Sequence, residues 1–465
     1  MGAIEIVRDP DVIAGFTEDA SGLVGTPSGV VRPRDIEDVA EAIAYARANQ
    51  IPLTPAGRFT STTGAPLAME GLCVSMTGFD DPPEVDPERG SVIVGAGVVL
   101  SDVKAAAAEH GLLYAPDPTS EWECSVGGTV LTDASGARTL KYGSTRRYVR
   151  RIWGVLGTGE TICWSRNDAE KNTAGYAPFR NPVDLLVGSE GTLGLVTRVE
   201  LDLLARPEGY TGMMIFFPTL EGLIQFVLAA RASSELSPRA MELFDAAALE
   251  ILRPHAGGLA IPSAERATAA VYVEEEHGHD EMEEALTPWL ELMEAHGALV
   301  DDTLVADSEE RVLAIRRLRH SLPSTLNERA RACRDDGGRK VSTDWAVPIR
   351  ELPGMIAAAD KLCEEAGVHA WTRYGHIGNG HPHFNLVARN AEELQRYLGV
   401  SEAMCREAIA RGGTVSAEHG IGKVKRDYLK LQVAPSALAA MRGVKMAFDP
   451  DGVLAPGNLF PPGAP

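Results

Sequence analysis

The segment Gly375 to His383 reads GHIGNGHPH, and Glu418-His419-Gly420 follows 35 residues later. Five of the chain's 11 histidines fall between His369 and His419. Imidazoles and a carboxylate held in Gly-rich turns suit a polar site better than an apolar core. These donor types suit a divalent metal ion with a base beside it. Taken singly, a histidine next to glycine is an ordinary hydrogen-bonded turn residue.

A second group of candidates is basic. Ala314 to Leu322 reads AIRRLRHSL, and its spacing predicts a helix. Arg316 and His320 are then one turn apart and share a face. A planar guanidinium can grip a carboxylate with two hydrogen bonds. Arg317 and Arg319 read equally well as a solvated helix face. KVSTDWAVP, from Lys340 to Pro348, offers another cation in Lys340.

Four Gly-rich loops occupy the first half. They are PAGRFTSTTG (55–64), PDPTSEWECSVGG (116–128), TDASGARTLKYG (132–143) and GSEGTLGLVT (188–197). Glycine lets backbone approach a ligand and present N–H groups to phosphate. Any one such loop reads as a surface turn. Four together in an α/β region suit a long diphosphate cofactor.

The elements that must carry these loops are legible in outline. Ile36, Val39, Ala40, Ile43 and Ala44 recur at helical spacing behind Asp35, a candidate N-cap. IPLTPAG, LCVSM and SVIVGAG read as strands. Ser101 to His110 reads as a helix stopped by Gly111. Strands alternating with helices predict α/β structure over about the first 200 residues. The composition changes near Ala205 to Gly209. Beyond it TGMMIFFP and AAVYVEEE read as strands, and 220–231 and 281–296 as helices. The acidic run in the latter reads as a solvated face.

Bulk properties exclude several functions. Lys and Arg total 44 against 65 Asp and Glu, a formal charge of −21. Such a surface repels nucleic acid and anionic membranes. Cys73, Cys124, Cys163, Cys333, Cys363 and Cys405 form no CxxC pair. They predict mostly buried thiols in a reducing compartment rather than disulfides or a cluster. The N-terminal residues lack a signal-peptide pattern, and no window has the apolar length of a membrane span. The expected location is the cytoplasm, with peripheral membrane contact left open.

The four loops resemble the FAD-binding domain of the vanillyl-alcohol oxidase (PCMH) type, which lacks GxGxxG, as this chain does. GHIGNGHPH, EHGIG (418–422) and DPDGVLAPGN (449–458) resemble the cap-domain motifs of one branch of that family. The branch comprises D-lactate dehydrogenase, the glycolate oxidase catalytic subunit and D-2-hydroxyglutarate dehydrogenase. The resemblance spans nearly the whole chain from about Val30.

It implies a mixed α+β fold: a PCMH-type FAD domain of two α/β subdomains plus a cap with an antiparallel sheet flanked by helices. The expected division is 1–205 for the FAD domain, 206–430 for the cap and 431–465 for a segment returning to the FAD domain. The FAD contacts carried over are Pro55, Gly57, Arg58, Phe59, Thr60, Ser61 and Gly64; Pro118, Thr119, Ser125, Gly127 and Gly128; Thr132, Ser135, Gly136 and Tyr142; Glu190, Gly191 and Val196. Arg58 stands where relatives often have Gly or a flavin-linked His, so non-covalent FAD is expected.

His376, His383 and Glu418 are the implied ligands of a divalent Zn, Mn or Fe ion, and His419 the implied base. His381 is read as a turn residue because the family has Asn there. Asn379 replaces a motif Asp, and Ala455 and Asn458 replace the family's terminal Asn and Lys. Arg316, His320 and Lys340 are the implied substrate contacts. The implied reaction oxidises a D-2-hydroxy acid to the 2-oxo acid, with hydride passing to flavin N5. Electrons then leave to a quinone, a cytochrome, an electron-transfer flavoprotein or a partner subunit; a homodimer is left open. The alternatives are a non-redox transferase like alkylglycerone-phosphate synthase, a phenolic-alcohol oxidase of the same fold, and a non-flavin zinc or iron protein.

Overall fold

The computed structural model describes residues 4–462. The chain forms two compact units. One comprises 1–136, 143–206 and 418–465; the other comprises 137–142 and 207–417. The second unit takes up the chain again at Pro207. The return to the first unit starts at Glu418 rather than at 431, and the short excursion 137–142 had no counterpart in the sequence reading.

The first unit contains two main sheets. In one the spatial order is Ile6–Val7, Gly29–Val31, Leu72–Ser75, Leu53–Ala56. Its last three strands are mutually parallel, and the helix Ile36–Asn49 lies between the second and fourth in sequence. Asp35 caps that helix by accepting from the Asp38 N–H, as its sequence position predicts. The helix buries Val39, Ala42, Ile43 and Ala46. The other sheet orders Glu84–Asp86, Ser91–Gly95, Gly194–Asp202, Val149–Leu156, Thr161–Ser165, all antiparallel. The helix Leu100–Glu109 ends beside Gly111, whose φ of +69° a side chain would oppose.

The C-terminal segment is tied into this unit. Leu53 N–H donates to Val453 O, and Ala455 N–H donates to Leu53 O, both at 2.7 Å. Glu190 accepts from Ile421 N (2.6 Å) and Gly422 N (2.7 Å). Gly420 and Gly422 have φ of +73° and +52°. A Cβ on Gly422 would lie 2.4 Å from Thr63 O. Lys423 Nζ donates to Gly64 O (3.1 Å), Ala65 O (3.3 Å) and Asn458 Oδ1 (2.7 Å). Asn458 Nδ2 in turn donates to Ala65 O and Glu190 O, each at 2.9 Å.

The second unit is built on a seven-stranded antiparallel sheet. Its order is Leu304–Ala306, Gly209–Phe217, Ala269–His277, Pro238–Phe244, Trp371–Gly375, His383–Val387, Lys340–Ser342. Alternation sends side chains to opposite faces. Met213, Met241, Leu243, Val271, Val273, Phe384 and Leu386 pack with the helices Leu220–Ala232, Met282–Ala295, Leu352–Glu365 and Ala391–Ala410. The helix Met282–Ala295 buries only Trp289 and Met293, so its glutamates face solvent, as expected. The other face, with Met214, Phe244, Tyr272 and Tyr374, packs against the helices Ala246–Leu252 and Glu309–Arg331. No described helix is long and apolar enough to cross a membrane. All six cysteines are free, and Cys73, Cys124, Cys363 and Cys405 are buried.

Burial lowers the Lys423 pKa to about 8 from 10.5. The charged form is therefore penalised on folding, by on the order of 3 kcal/mol, at pH below about 8. That penalty disappears as pH rises from about 8 to 10.5, because the unfolded chain then binds more protons than the folded one. Denaturant titrations of wild type and Lys423→Met should show wild type gaining stability relative to the variant across that window. A difference independent of pH between 7 and 10 would contradict this account.

Candidate active site

The first unit brings its Gly-rich loops together by close backbone contacts. A Cβ on Gly57 would meet Ser125 Oγ at 2.3 Å, and one on Gly191 would meet Pro55 Cγ at 2.4 Å. A Cβ on Gly136 would lie 2.2 Å from Asp117 O. Gly188 N–H donates to Val130 O (3.1 Å), and Glu190 N–H donates to Leu131 O (2.8 Å). Loops 55–64, 116–128, 132–143 and 188–197 thus interlock, and their glycines are the points where they touch. Phe59 sits at φ +56° with its ring edge-on to Phe16 at 5.7 Å. Arg58 Nε donates to Gly97 O at 3.3 Å.

Several residues assigned to FAD have other partners. Thr132 Oγ1 donates to Gly128 O within its own helix. Val196 is buried in the strand Gly194–Asp202. Glu190 is 5% exposed and holds the EHGIG turn, and burial pushes its carboxyl above the usual range despite two N–H donors. Tyr142 belongs to the second unit, where its hydroxyl bonds the Glu276 carboxylate. Gly-rich turns that touch at their glycines supply the backbone type that a diphosphate cofactor takes.

The second unit assembles the histidines. Tyr374 pairs with His383 across the two strands that flank the turn Ile377–Asn379. His376 lies just before that turn, and His381 and His383 follow it. Ring centroids lie 4.5 Å apart for His381–His383, and 5.6 Å apart for His376–His381 and His376–His383. One ring nitrogen of each lies within 4.8 Å of those of the other two. All three residues are buried. His369, by contrast, is on the surface and pairs with Glu393 and Arg389.

The outward hydrogen bonds fix two of the rings. His383 Nδ1 lies 3.1 Å from Thr343 O, which can only accept, so Nδ1 carries the proton. His376 Nδ1 lies 2.5 Å from Glu242 Oε1. A neutral ring held this way presents its lone pair on Nε2, the arrangement of a metal-ligating imidazole. Glu242 accepts a second bond from Arg319 Nε at 2.8 Å. Burial alone would raise the Glu242 carboxyl, but the Arg319 charge and the hydrogen bonds from His376 and Arg319 act to lower it. Arg319 is therefore no solvated-face residue: its side chain is 14% exposed. Donor set and tautomers fit a divalent ion. Nitrogens about 2.1 Å from one ion are at most ~4.2 Å apart, so nitrogens already within 4.8 Å of one another need shifts of no more than roughly half an ångström.

Glu242, Glu274, Tyr272, His383, Asn385 and Lys340 alternate onto the sheet face that the helix Glu309–Arg331 covers. Arg316 Nε lies 3.4 Å from Glu274 Oε1. Arg239 Nε (2.7 Å) and Arg138 Nε (3.1 Å) also donate to Glu274. A register shift between Pro238 and Ala240 makes Arg239 the extra residue of a bulge, which turns it onto this face. Burial would raise the Glu274 carboxyl, but the three guanidiniums hold it well below the usual range. Lys340 forms no ion pair among the described residues, and burial lowers its pKa. The buried Asn385 Oδ1 accepts no hydrogen bond from the described residues. His320 is exposed. Glu242, Arg239, Glu274 and Asn385 were absent from the sequence reading, and Arg319 appeared there only as a solvated-face residue. Asn385, two residues beyond His383 on a strand, was the one a periodicity argument could have reached.

Ala417, the last residue of this unit, donates its N–H to Asp344 O at 2.8 Å. Glu418 is the next residue in the chain. Within the first unit, His419 Nε2 lies 3.3 Å from Glu418 Oε1.

Residues 206–459 match the family described as FAD linked oxidases, C-terminal domain, and residues 27–164 match the FAD binding domain. A D-2-hydroxyglutarate dehydrogenase of Xanthomonas citri pv. viticola is 31% identical over 93% of this chain and 89% of that protein. A D-lactate dehydrogenase of Anaerostipes hadrus is 30% identical over 96% and 92%. The glycolate oxidase subunit GlcD of Bacillus subtilis is 29% identical over 93% and 89%. Among solved structures, an alkyldihydroxyacetonephosphate synthase aligns with a TM-score of 0.72 at 16% identity, covering 97% of this chain and 82% of that one. That likeness concerns the fold.

The glycine contacts give a graded expectation. Gly136→Ala sets a methyl against a backbone carbonyl, which cannot turn aside. Gly57→Ala meets a serine hydroxyl, which can rotate. Purified Gly136→Ala should carry clearly less FAD per protein than Gly57→Ala, as measured by flavin absorbance after acid extraction. Equal, full occupancy in both would show that loop interlocking does not govern cofactor binding.

Proposed function

We propose a reaction for this chain, which belongs to the FAD-linked oxidase family: oxidation of a D-2-hydroxy acid to the 2-oxo acid. The reading is supported by relatives named for D-2-hydroxyglutarate, D-lactate and glycolate. The single observation that carries it is the pair of imidazoles oriented by Glu242 and Thr343, on the same sheet face as the unpaired Lys340. A half-buried cation without a carboxylate partner can receive an anion from outside.

In this reading the substrate carboxylate is received by Arg316 and Lys340. Arg316 is pre-oriented by Glu274, which limits the rotamer freedom lost on binding. Asn385 Oδ1 accepts the hydrogen of a substrate hydroxyl or of a water beside it. His376, His383 and Glu418 would hold a divalent ion, of the Zn, Mn or Fe class, whose charge lowers the pKa of the substrate hydroxyl. Glu418 is taken as the third ligand because the resembled EHG motif implies it. His419 takes the hydroxyl proton. FAD supplies the acceptor for the hydride lost from C2, so the acid loses two electrons and two protons overall. A quinone, a cytochrome, an electron-transfer flavoprotein or a partner subunit then accepts the electrons.

Anaerobic mixing with D-lactate, glycolate or D-2-hydroxyglutarate should bleach the flavin band near about 450 nm. EDTA should slow the bleaching, and added divalent ion should restore it. His419→Gln should lower kcat by roughly 10²–10⁴-fold with KM little changed. Flavin that stays oxidised with every D- and L-2-hydroxy acid tested would instead favour a non-redox transferase.

A further inference from the structure

We infer that His381 is a third imidazole ligand of the metal centre, an inference that rests on the metal reading above. Its position is built, not incidental. Asn379 N–H (3.1 Å) and His381 N–H (3.2 Å) both donate to His376 O, which folds His381 back beside His376. Gly380, between them, has φ +68°, and a Cβ there would stand 2.0 Å from Val347 O. Val347 N–H donates to Gly380 O at 3.0 Å, pinning the turn from its other side. These contacts hold residue 381 beside His376.

The side chain is equally constrained. His381 is 3% exposed, as deeply buried as His376 at 4% and His383 at 6%. Its ring is edge-on to His383 at 4.5 Å. His381 Nε2 lies 3.2 Å from Asp344 Oδ1, and Asp344 Oδ2 accepts from Ser416 Oγ at 2.8 Å. Three buried imidazoles, each with a ring nitrogen within 4.8 Å of the others, form a compact nitrogen donor set. A shared cation lets all three stay neutral and uses a lone pair from each. The residue that fills this place in the resembled motif is Asn, a poor ligand for such an ion.

The consequence is chemical. Three histidines and one carboxylate occupy four coordination positions. A hydroxy acid that chelates through two oxygens then needs a six-coordinate ion, which Mn²⁺ and Fe²⁺ accept more readily than Zn²⁺.

The test uses the whole flavoprotein, stripped of metal and loaded with Cu²⁺ as a probe. Its electron paramagnetic resonance spectrum should show coupling to three directly bound nitrogens. His381→Asn should show two and bind Zn²⁺ and Mn²⁺ at least about tenfold more weakly in competition with a chromophoric chelator. Retained FAD content and far-UV circular dichroism would show the variant folded. If it does not fold, the nitrogen count of the wild type decides alone. Two nitrogens in the wild type, with unchanged affinity in the variant, would overturn the assignment of His381 and leave the metal reading standing. A wild type that binds no ion at all would overturn both.

Discussion

The second unit depends on one buried carboxylate. Glu242 is 2% exposed and lies between His376 Nδ1 and Arg319 Nε. Taking a carboxylate out of water costs several kcal/mol unless its oxygens are met by charged donors. Here one oxygen is met by the Arg319 guanidinium, from a helix, and the other by the His376 ring N–H, from a turn. Removing Arg319 would leave the charge uncompensated, and removing Glu242 would release both partners. The carboxylate thus ties the helix Glu309–Arg331 to the turn that carries the histidines. It also sets which nitrogen of His376 faces inward, so packing and chemistry share one constraint.

The sheet turns that constraint into a site. Alternation puts apolar side chains on the face toward four helices and leaves the opposite face to carry Glu242, Glu274, His383, Asn385 and Lys340. Such a face is costly to bury unless its charges are balanced. Glu274 is balanced three times over, by Arg138, Arg239 and Arg316. Lys340 is not balanced at all among the described residues. The charge asymmetry on this face is local and runs against the net charge of −21.

In the first unit the EHGIG and PGN motifs have a mechanical part. Glu190 holds two N–H groups of EHGIG, and Lys423 and Asn458 close the same knot onto Gly64 and Ala65. The Lys of the resembled terminal motif is Asn458 here, and Lys423 supplies the cation that bonds it. Motifs that read as chemistry in the sequence are in part devices that bring the C-terminal segment back to the Gly-rich loops.

The sequence by itself determined the local elements and the chemistry on offer. The Asp35 cap, the Gly111 stop, the alternating strands and the Gly-rich turns each depend on near neighbours, so each was legible. The histidines and EHG were visible as residue types at a spacing. Tertiary structure alone decided which carboxylate orients which ring. Glu242 and His376 lie 134 residues apart, and Glu190 and Ile421 lie 231 apart. No local pattern encodes such pairs, because a buried charge is satisfied by whatever the fold brings to it. The same reason hid Arg319 in an exposed-looking helix and His381 in a turn: burial belongs to the packed chain, not to the residue.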